Sequence, residues 1–223
     1  MNIEGIDIEW LGHDTFRIKN KEGKVIYFDP FKISGDVKAD YIFITHEHDD
    51  HCSMEDIKKI MTDQTIIVAA DKCQSKLAEI EEQIKFFVYM IPDELTDAGD
   101  IKVQTFPSYN IDKFREPGVP FHAKEDNKVG MVILVDGKRI YHAGDTDNIP
   151  EMADIKNIDI ALIPVSGTYV MTADEAAKAV EVIKPKKAIP MHYGDIVGSK
   201  EDAEKFKSLV SGDTEVIILE KSN

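Results

Sequence analysis

Cysteine, clustered basic charge and long apolar runs are all scarce in this sequence, and each scarcity excludes something. Cys52 and Cys73 are the only two cysteines in 223 residues, and they form no CxxC pair. A disulfide-stapled scaffold and a four-cysteine zinc site are therefore excluded. The expectation is two reduced, buried thiols, with a site-lining role left open for Cys52. Lys and Arg total 27 against 42 Asp and Glu, a formal net charge of -15, and no basic cluster interrupts the acidic background. Binding to a nucleic acid draws on phosphate neutralisation, so no nucleic-acid partner is expected. No apolar run approaches the roughly 20 residues that cross a bilayer, and the opening "MNIEGIDIEW" carries no basic segment ahead of an apolar stretch. These features predict a cytoplasmic protein without stable membrane insertion. No Gly/Ser/Pro linker divides the chain, which predicts one domain over 1–223, with homo-oligomerisation left open.

Histidine is also sparse, yet unevenly spread. Of seven histidines, His46, His48 and His51 fall in "THEHDDH" (45–51), interleaved with Glu47, Asp49 and Asp50. A solvated turn has no need of such a set, whereas metal ions do.

The chain also says the same thing twice. "TFRIKNKEGKVIYFDP" (15–30) and "GMVILVDGKRIYHAGDT" (130–146) each read as strand, tight turn, strand, then an aspartate, Asp29 or Asp145. An apolar strand follows in each half, "YIFI" before the histidine run and "IALIP" before a small-residue loop. A helix then opens on a hydroxyl with an acid three residues on: Ser53 with Asp56, Thr172 with Glu175. Short apolar runs alternating with helices imply covered sheets, and two similar halves imply two sheets face to face. The predicted fold is α/β, a four-layer αββα sandwich with an internal pseudo-two-fold repeat. It brings Asp29, the histidine run, Asp145 and the end of "IPMH" to one edge.

In an extended segment, alternation sends His46, His48 and Asp50 to one side and His51 to the other. Imidazole and carboxylate donors suit Zn²⁺ first, with Mn or Fe as alternatives. Four donors cannot complete two coordination spheres, so further ligands are required at strand ends. Asp145, His192 in "PMHYG" and His122 in "PFHAKED" supply them. His142, three residues before Asp145, reads as packing or support, and Asp29 as a group orienting a ligand histidine.

With these motifs in hand, the chain resembles the metallo-β-lactamase-fold superfamily through the His-x-His-x-Asp-His pattern of "THEHDDH". "WLGHDTF", "FDPF", "YHAGDT" and "IPMHYG" are similar to the branch of metal-dependent hydrolases that includes ascorbate-6-phosphate lactonases and N-acylphosphatidylethanolamine-hydrolysing phospholipase D. The resemblance covers Trp10 to about Gly198. It implies His46, His48 and His122 on one divalent ion, Asp50, His51 and His192 on a second, and Asp145 bridging them. It also places His13 near the site. Ala123 stands after His122 where close relatives often carry serine. His48, where redox members tend to have glutamate, favours hydrolysis.

The expected function is a dinuclear metal-dependent hydrolase that cleaves an ester, lactone or phosphodiester bond in a small-molecule substrate. Catalytic parts are expected for Asp50, for His13 and for Tyr193, the last as a hydrogen-bond donor. The loop "PSYNIDKFREPGVPFH" (107–122) reads as a groove wall with Tyr109, Phe114 and Phe121 as contacts. Two other readings compete: a non-catalytic metal-binding or regulatory module, and a diiron redox protein on the same fold. No dinucleotide-binding glycine motif supports the latter.

Overall fold

The computed structural model describes residues 1–222. Its first half builds a seven-stranded sheet in sequence order: β1 (Asn2–Ile3), β2 (Ile6–Gly12), β3 (Thr15–Lys19), β4 (Val25–Phe28), β5 (Tyr41–Ile44), β6 (Ile66–Ala70) and β7 (Phe86–Met90). Strands β1 to β4 are antiparallel, and β4 to β7 are parallel. Helix α1 (Met54–Ile60) carries the chain from β5 to β6, and the short α2 (Gln74–Leu77) lies between β6 and β7.

The second half repeats the plan. Strands β8 (Leu95–Ala98) and β9 (Ile101–Pro107) are followed by a small hairpin of β10 (Phe114–Glu116) and β11 (Val119–Pro120). Then come β12 (Val129–Val135), β13 (Lys138–His142), β14 (Ile160–Pro164), α3 (Ala173–Ile183), β15 (Lys187–Met191), α4 (Lys200–Leu209) and β16 (Glu215–Val216). The second large sheet runs β8-β9-β12-β13-β14-β15-β16, antiparallel as far as β13 and parallel beyond it. The two sequence repeats are thus β3-β4-β5 and β12-β13-β14, each an antiparallel hairpin whose second strand pairs in parallel with the next.

The residues explain the layers. Strands β5, β6 and β14 are buried along their whole length, as strands covered on both faces must be. Helix α3 buries Ala173, Ala176, Ala177, Ala179, Val180 and Ile183 on one stripe. A single connected core takes Ile8, Phe16, Ile26 and Phe43 from the first sheet and Val132, Ile140 and Leu162 from the second. The fold is the predicted αββα sandwich. Among the described residues no helix is long and apolar enough to cross a membrane.

The two predicted capping boxes differ. At α3, Thr172 accepts from Glu175 N–H, and Glu175 accepts from Thr172 N–H at 2.7 Å. At α1, Ser53 accepts from Asp56 N–H and donates its hydroxyl to the Asp56 carboxylate at 2.8 Å, but that carboxylate does not close the box on Ser53 N–H and accepts instead from Lys32 N–H (2.8 Å) and Ile33 N–H (2.9 Å). That acid ties α1, and the Ser53 hydroxyl at its start, to the segment after Asp29.

Candidate metal centre

Strand β5 ends at Ile44, and Thr45 to His51 coil into a turn in which His51 N–H and Cys52 N–H both donate to His48 C=O, at 3.0 and 2.7 Å. Strand alternation therefore does not apply, and His51 is not sent to the opposite face: its ring lies 3.9 Å from that of His46, centroid to centroid. Asp29, just beyond β4, organises the turn from beneath. Fully buried, it accepts from Thr45 N–H (2.8 Å) and Thr45 Oγ1–H (2.6 Å) and faces His51 Nδ1 at 2.8 Å.

These bonds fix the imidazoles. The single Thr45 hydroxyl proton is spent on Asp29, so Thr45 Oγ1 accepts from His46 Nδ1–H at 3.0 Å and the Nε2 lone pair of His46 is left free. Asp29 likewise holds His51 by Nδ1. His122 donates from Nδ1 to Asn110 Oδ1 at 3.0 Å. His192 donates from Nδ1 to Ser166 Oγ at 3.0 Å, since that hydroxyl donates onward to Thr168 C=O. Four histidines are thus anchored by Nδ1 and present Nε2 inward, the arrangement of metal-ligating imidazoles.

The inward atoms converge. His46 Nε2 stands 3.1 Å from His48 Nδ1. Asp145, beyond the end of β13, places Oδ2 3.4 Å from His122 Nε2 and 3.3 Å from His192 Nε2, with Oδ1 3.4 Å from His51 Nε2. Donors bound tetrahedrally at 2.0–2.1 Å from a zinc ion would be separated by roughly 3.3 Å. The spacing of the donors fits such ions. Three overlapping sets of donors can be drawn: His46, His48 and His122; His46, His51 and Asp145; and His13, Asp14, His51 and His192.

Unsatisfied atoms make the same point. His13 Nδ1, both Asp14 oxygens, His51 Nε2, Asp145 Oδ1 and His192 Nε2 are six of the eleven buried side-chain polar atoms without a hydrogen-bond partner among the described residues. Each such orphan costs about 1–3 kcal/mol. Six together rival the ~5–15 kcal/mol by which a whole domain is stable. Bound cations would satisfy those on Asp14, His51, Asp145 and His192.

The electrostatics divide the cluster. Burial, helped by the charge of His51, holds His46 well below the ordinary imidazole value, and burial pushes His122 down to about 4. His48 is lowered by burial and by Lys128, a lysine only 2% exposed that pairs with Glu47 at 2.6 Å. On the other side burial also opposes charge, yet Asp145 and Asp14 raise His192 to about 9, and Asp145 and Asp29 raise His51 well above its usual value. On one side burial disfavours the charged imidazole; on the other, facing carboxylates favour it.

Backbone shape supports the cluster. His13, Asp29 and His192 all take left-handed φ, at 51°, 40° and 60°. Strained positions of this kind persist where the surroundings over-determine them. Gly144, beside Asp145, has φ 62°, and a Cβ there would lie 3.1 Å from Val129 O and 3.2 Å from Thr45 Cβ.

The remaining expected residues fall unequally. Asp50 lines the open mouth, but its carboxylate bonds His13 Nε2 at 3.1 Å and stands 3.8 Å from His51 Nε2, outside all three donor sets. Burial opposes its charge, and the His13 bond lowers its pKa nonetheless. Tyr193 does not reach the mouth: its ring is buried and stacks on Trp10 at 4.7 Å, and burial raises its hydroxyl to about 12. His142 accepts from Gly144 N–H at Nδ1 and donates from Nε2 to Asp14 C=O at 2.9 Å, so both nitrogens are occupied. Cys52 is buried in the core.

The mouth is a cleft of about 140 Å³ lined by His48, Asp50, Phe121, His122, Asp145 and Tyr169. A larger hollow of about 510 Å³ near Val180, Lys184 and Ser211 carries no comparable donors. Of the three aromatics expected in the groove wall only Phe121 lines the cleft, packed edge-on against Tyr169 at 4.7 Å. Tyr109 turns its hydroxyl to Glu151, and Phe114 is exposed on the β10–β11 hairpin.

Sequence reasoning missed Asp14, Asn110, Asp147, Ser166 and Tyr169. Asp147 accepts from Ile111 N–H, Asp112 N–H and Asn110 Nδ2–H, and so holds the residue that holds His122. Asp14 alone carried a signal, its place beside His13 in "LGHDTF".

Comparison with known proteins is consistent with this geometry. The model of the Beta-lactamase superfamily domain matches residues 7–192. The chain belongs to that superfamily. A UPF0173 metal-dependent hydrolase of Thermococcus kodakarensis is 33% identical, covering 96% of each chain. Among solved structures, a protein of Parabacteroides distasonis superposes with a TM-score of 0.79 at 33% identity, covering 96% of this chain and 94% of that one. Igni18, a metallo hydrolase of Ignicoccus hospitalis, shares the superfamily fold with a TM-score of 0.77 at 22% identity, over 98% and 96% of the two chains.

Proposed function

We propose that the chain, acting as one domain over 1–223, is a metal-dependent hydrolase with two divalent ions at the strand-end cluster. His46, His48 and His122 would hold one ion, His51 and His192 the other, with Asp145 between them. The observation that carries this reading is the convergence of anchored imidazole nitrogens and the two Asp145 carboxylate oxygens, with neighbouring donors 3.1–3.4 Å apart, beneath an open cleft. Metal-dependent hydrolases among the relatives support it. Ions bound there would acidify a water to near neutrality and polarise the oxygen of the scissile group.

The chain's own residues do the rest. Asp50, held by His13 at 3.1 Å and facing the cleft, is placed to orient the attacking water, take its proton and return that proton to the leaving group. His13 fixes the Asp50 rotamer. Phe121 and Tyr169 wall the cleft and exclude bulk water from one side. The bond class is an ester, lactone or phosphodiester in a small molecule.

Metal analysis of protein purified without chelator, paired with hydrolysis of bis-p-nitrophenyl phosphate and simple lactones in Zn²⁺ or Mn²⁺, tests the proposal. About two ions per chain with metal-dependent turnover is the expected result. A metal-free protein, inactive with either ion, would overturn it.

A further inference from the structure

We infer that Asp14 is a ligand of the second ion, an inference that rests on the metal-centre reading above. Asp14 sits in the tight turn joining β2 to β3 and is fully buried. Among the described residues neither of its carboxylate oxygens has a hydrogen-bond partner. Oδ2 faces three imidazoles: His13 Nε2 at 3.4 Å, His51 Nε2 at 3.6 Å and His192 Nε2 at 3.9 Å. Two of those nitrogens, on His51 and His192, are themselves orphaned. The third is engaged by Asp50.

The turn is bolted in place by its backbone. His13 C=O accepts from Trp10 Nε1–H at 2.9 Å and from His192 N–H at 3.1 Å, while Asp14 C=O accepts from His142 Nε2–H at 2.9 Å. All three bonds use main-chain oxygens, so the carboxylate is free and aimed inward. A purely structural aspartate in such a place would be expected to accept backbone N–H groups, as Asp29, Asp56 and Asp147 do. Asp14 accepts none. A cation seated among its neighbours is the partner that remains.

The assignment makes the two ion positions chemically unlike. One has three imidazoles with a share of Asp145; the other has two imidazoles and two carboxylates, Asp14 and Asp145. Carboxylate-rich sets suit Mn²⁺ and imidazole-rich sets suit Zn²⁺. The position beside Asp14 is therefore the one that accepts Mn²⁺ more readily.

Equilibrium dialysis with Mn²⁺, read by electron paramagnetic resonance and elemental analysis, tests this on the whole chain and on Asp14→Asn and Asp14→Ala. The parent protein should bind two ions, and each variant should lose one or bind it at least about tenfold more weakly. Melting of the metal-free forms gives a second readout. Loss of an orphaned buried carboxylate should leave the melting temperature of Asp14→Ala no lower than that of the parent. Two ions in the parent with unchanged stoichiometry and affinity in both variants would overturn the role of Asp14 and leave the dinuclear reading standing. A parent that binds none would overturn both. Should the variants fail to fold, anomalous diffraction from Mn²⁺-soaked parent crystals decides: an ion within coordination distance of an Asp14 oxygen supports the assignment, and ions all farther than about 3 Å from it overturn it.

Discussion

Asp29 and Asp145 hold equivalent places in the two halves of the molecule, each just beyond the second strand of an antiparallel hairpin that pairs in parallel with the next strand. They do opposite work. Asp29 is saturated, accepting from Thr45 N–H and Oγ1–H and gripping His51 by Nδ1. Asp145 leaves Oδ1 orphaned and turns both oxygens toward the Nε2 atoms of His51, His122 and His192. The first half contributes a contiguous histidine turn and the carboxylate that braces it. The second contributes isolated donors from three separate strand ends or loops. Duplicated architecture supplies equivalent positions, and hydrogen-bond saturation separates the one that braces the turn from the one that leaves an oxygen free for the proposed ions.

That contrast can be broken by substitution. Asp145→Ala removes the carboxylate that faces His51, His122 and His192 and should lower kcat/KM by about 10³-fold or more, comparable with or beyond the loss of a transition-state donor. Far-ultraviolet circular dichroism should stay unchanged, because the carboxylate faces the imidazole cluster and holds no strand by a hydrogen bond. Retained turnover in the metal-loaded variant would place the centre elsewhere. Asp29→Asn should cost less, about 10–100-fold in metal affinity or activity, as outer partners of ligand histidines typically do. It should act by releasing His51, so metal titration should register it directly. Equal losses from both substitutions would erase the distinction between bracing and binding.

The legibility of these two aspartates was unequal for a physical reason. Hairpin turns, apolar strand lengths and helix starts are local signals, and they placed both residues at the same edge of a correctly expected sandwich. The contiguous cluster His46–His51 was equally legible. Asn110, Asp147 and Ser166 were not, since each matters through a partner distant in sequence: Asn110 through His122, Asp147 through Asn110, Ser166 through His192. Tyr193 misled because adjacency to a donor in sequence is not adjacency to the cleft. A strand end turns successive side chains apart, and that ring found Trp10. The alternation rule failed at His51 because the chain had already left the strand at Thr45.

Removing the ions sharpens the comparison through stability. If free metal stands near 1,000 times its dissociation constant, binding contributes about 4 kcal/mol to the native state. For a chain of this size a change of 1 kcal/mol moves the melting temperature by roughly 2–4 °C. Chelation should therefore lower it by roughly 8–16 °C, and Asp145→Ala should abolish the difference between chelated and loaded protein. A melting temperature indifferent to chelator in the parent would argue that the orphaned atoms of His51, Asp145 and His192 find some other partner.

The smallest effects lie at the two helix starts, where the same contrast recurs away from the site. Asp56 accepts two loop N–H groups with its two carboxylate oxygens, so Asp56→Asn confronts one of them with an amide that cannot accept. The expected cost is about 2 kcal/mol, or roughly 4–8 °C in melting temperature. Glu175 needs only one oxygen to close the box on Thr172, and glutamine closes such boxes as well as glutamate. Its bonds to Lys113 weaken in Glu175→Gln, but partly exposed ion pairs contribute well under about 1 kcal/mol. Glu175→Gln should thus move the melting temperature by no more than about 2 °C. If the two substitutions proved equally costly, Asp56 would be acting as a cap after all, and the tie it makes between α1 and the segment following Asp29 would carry no weight in holding the histidine turn.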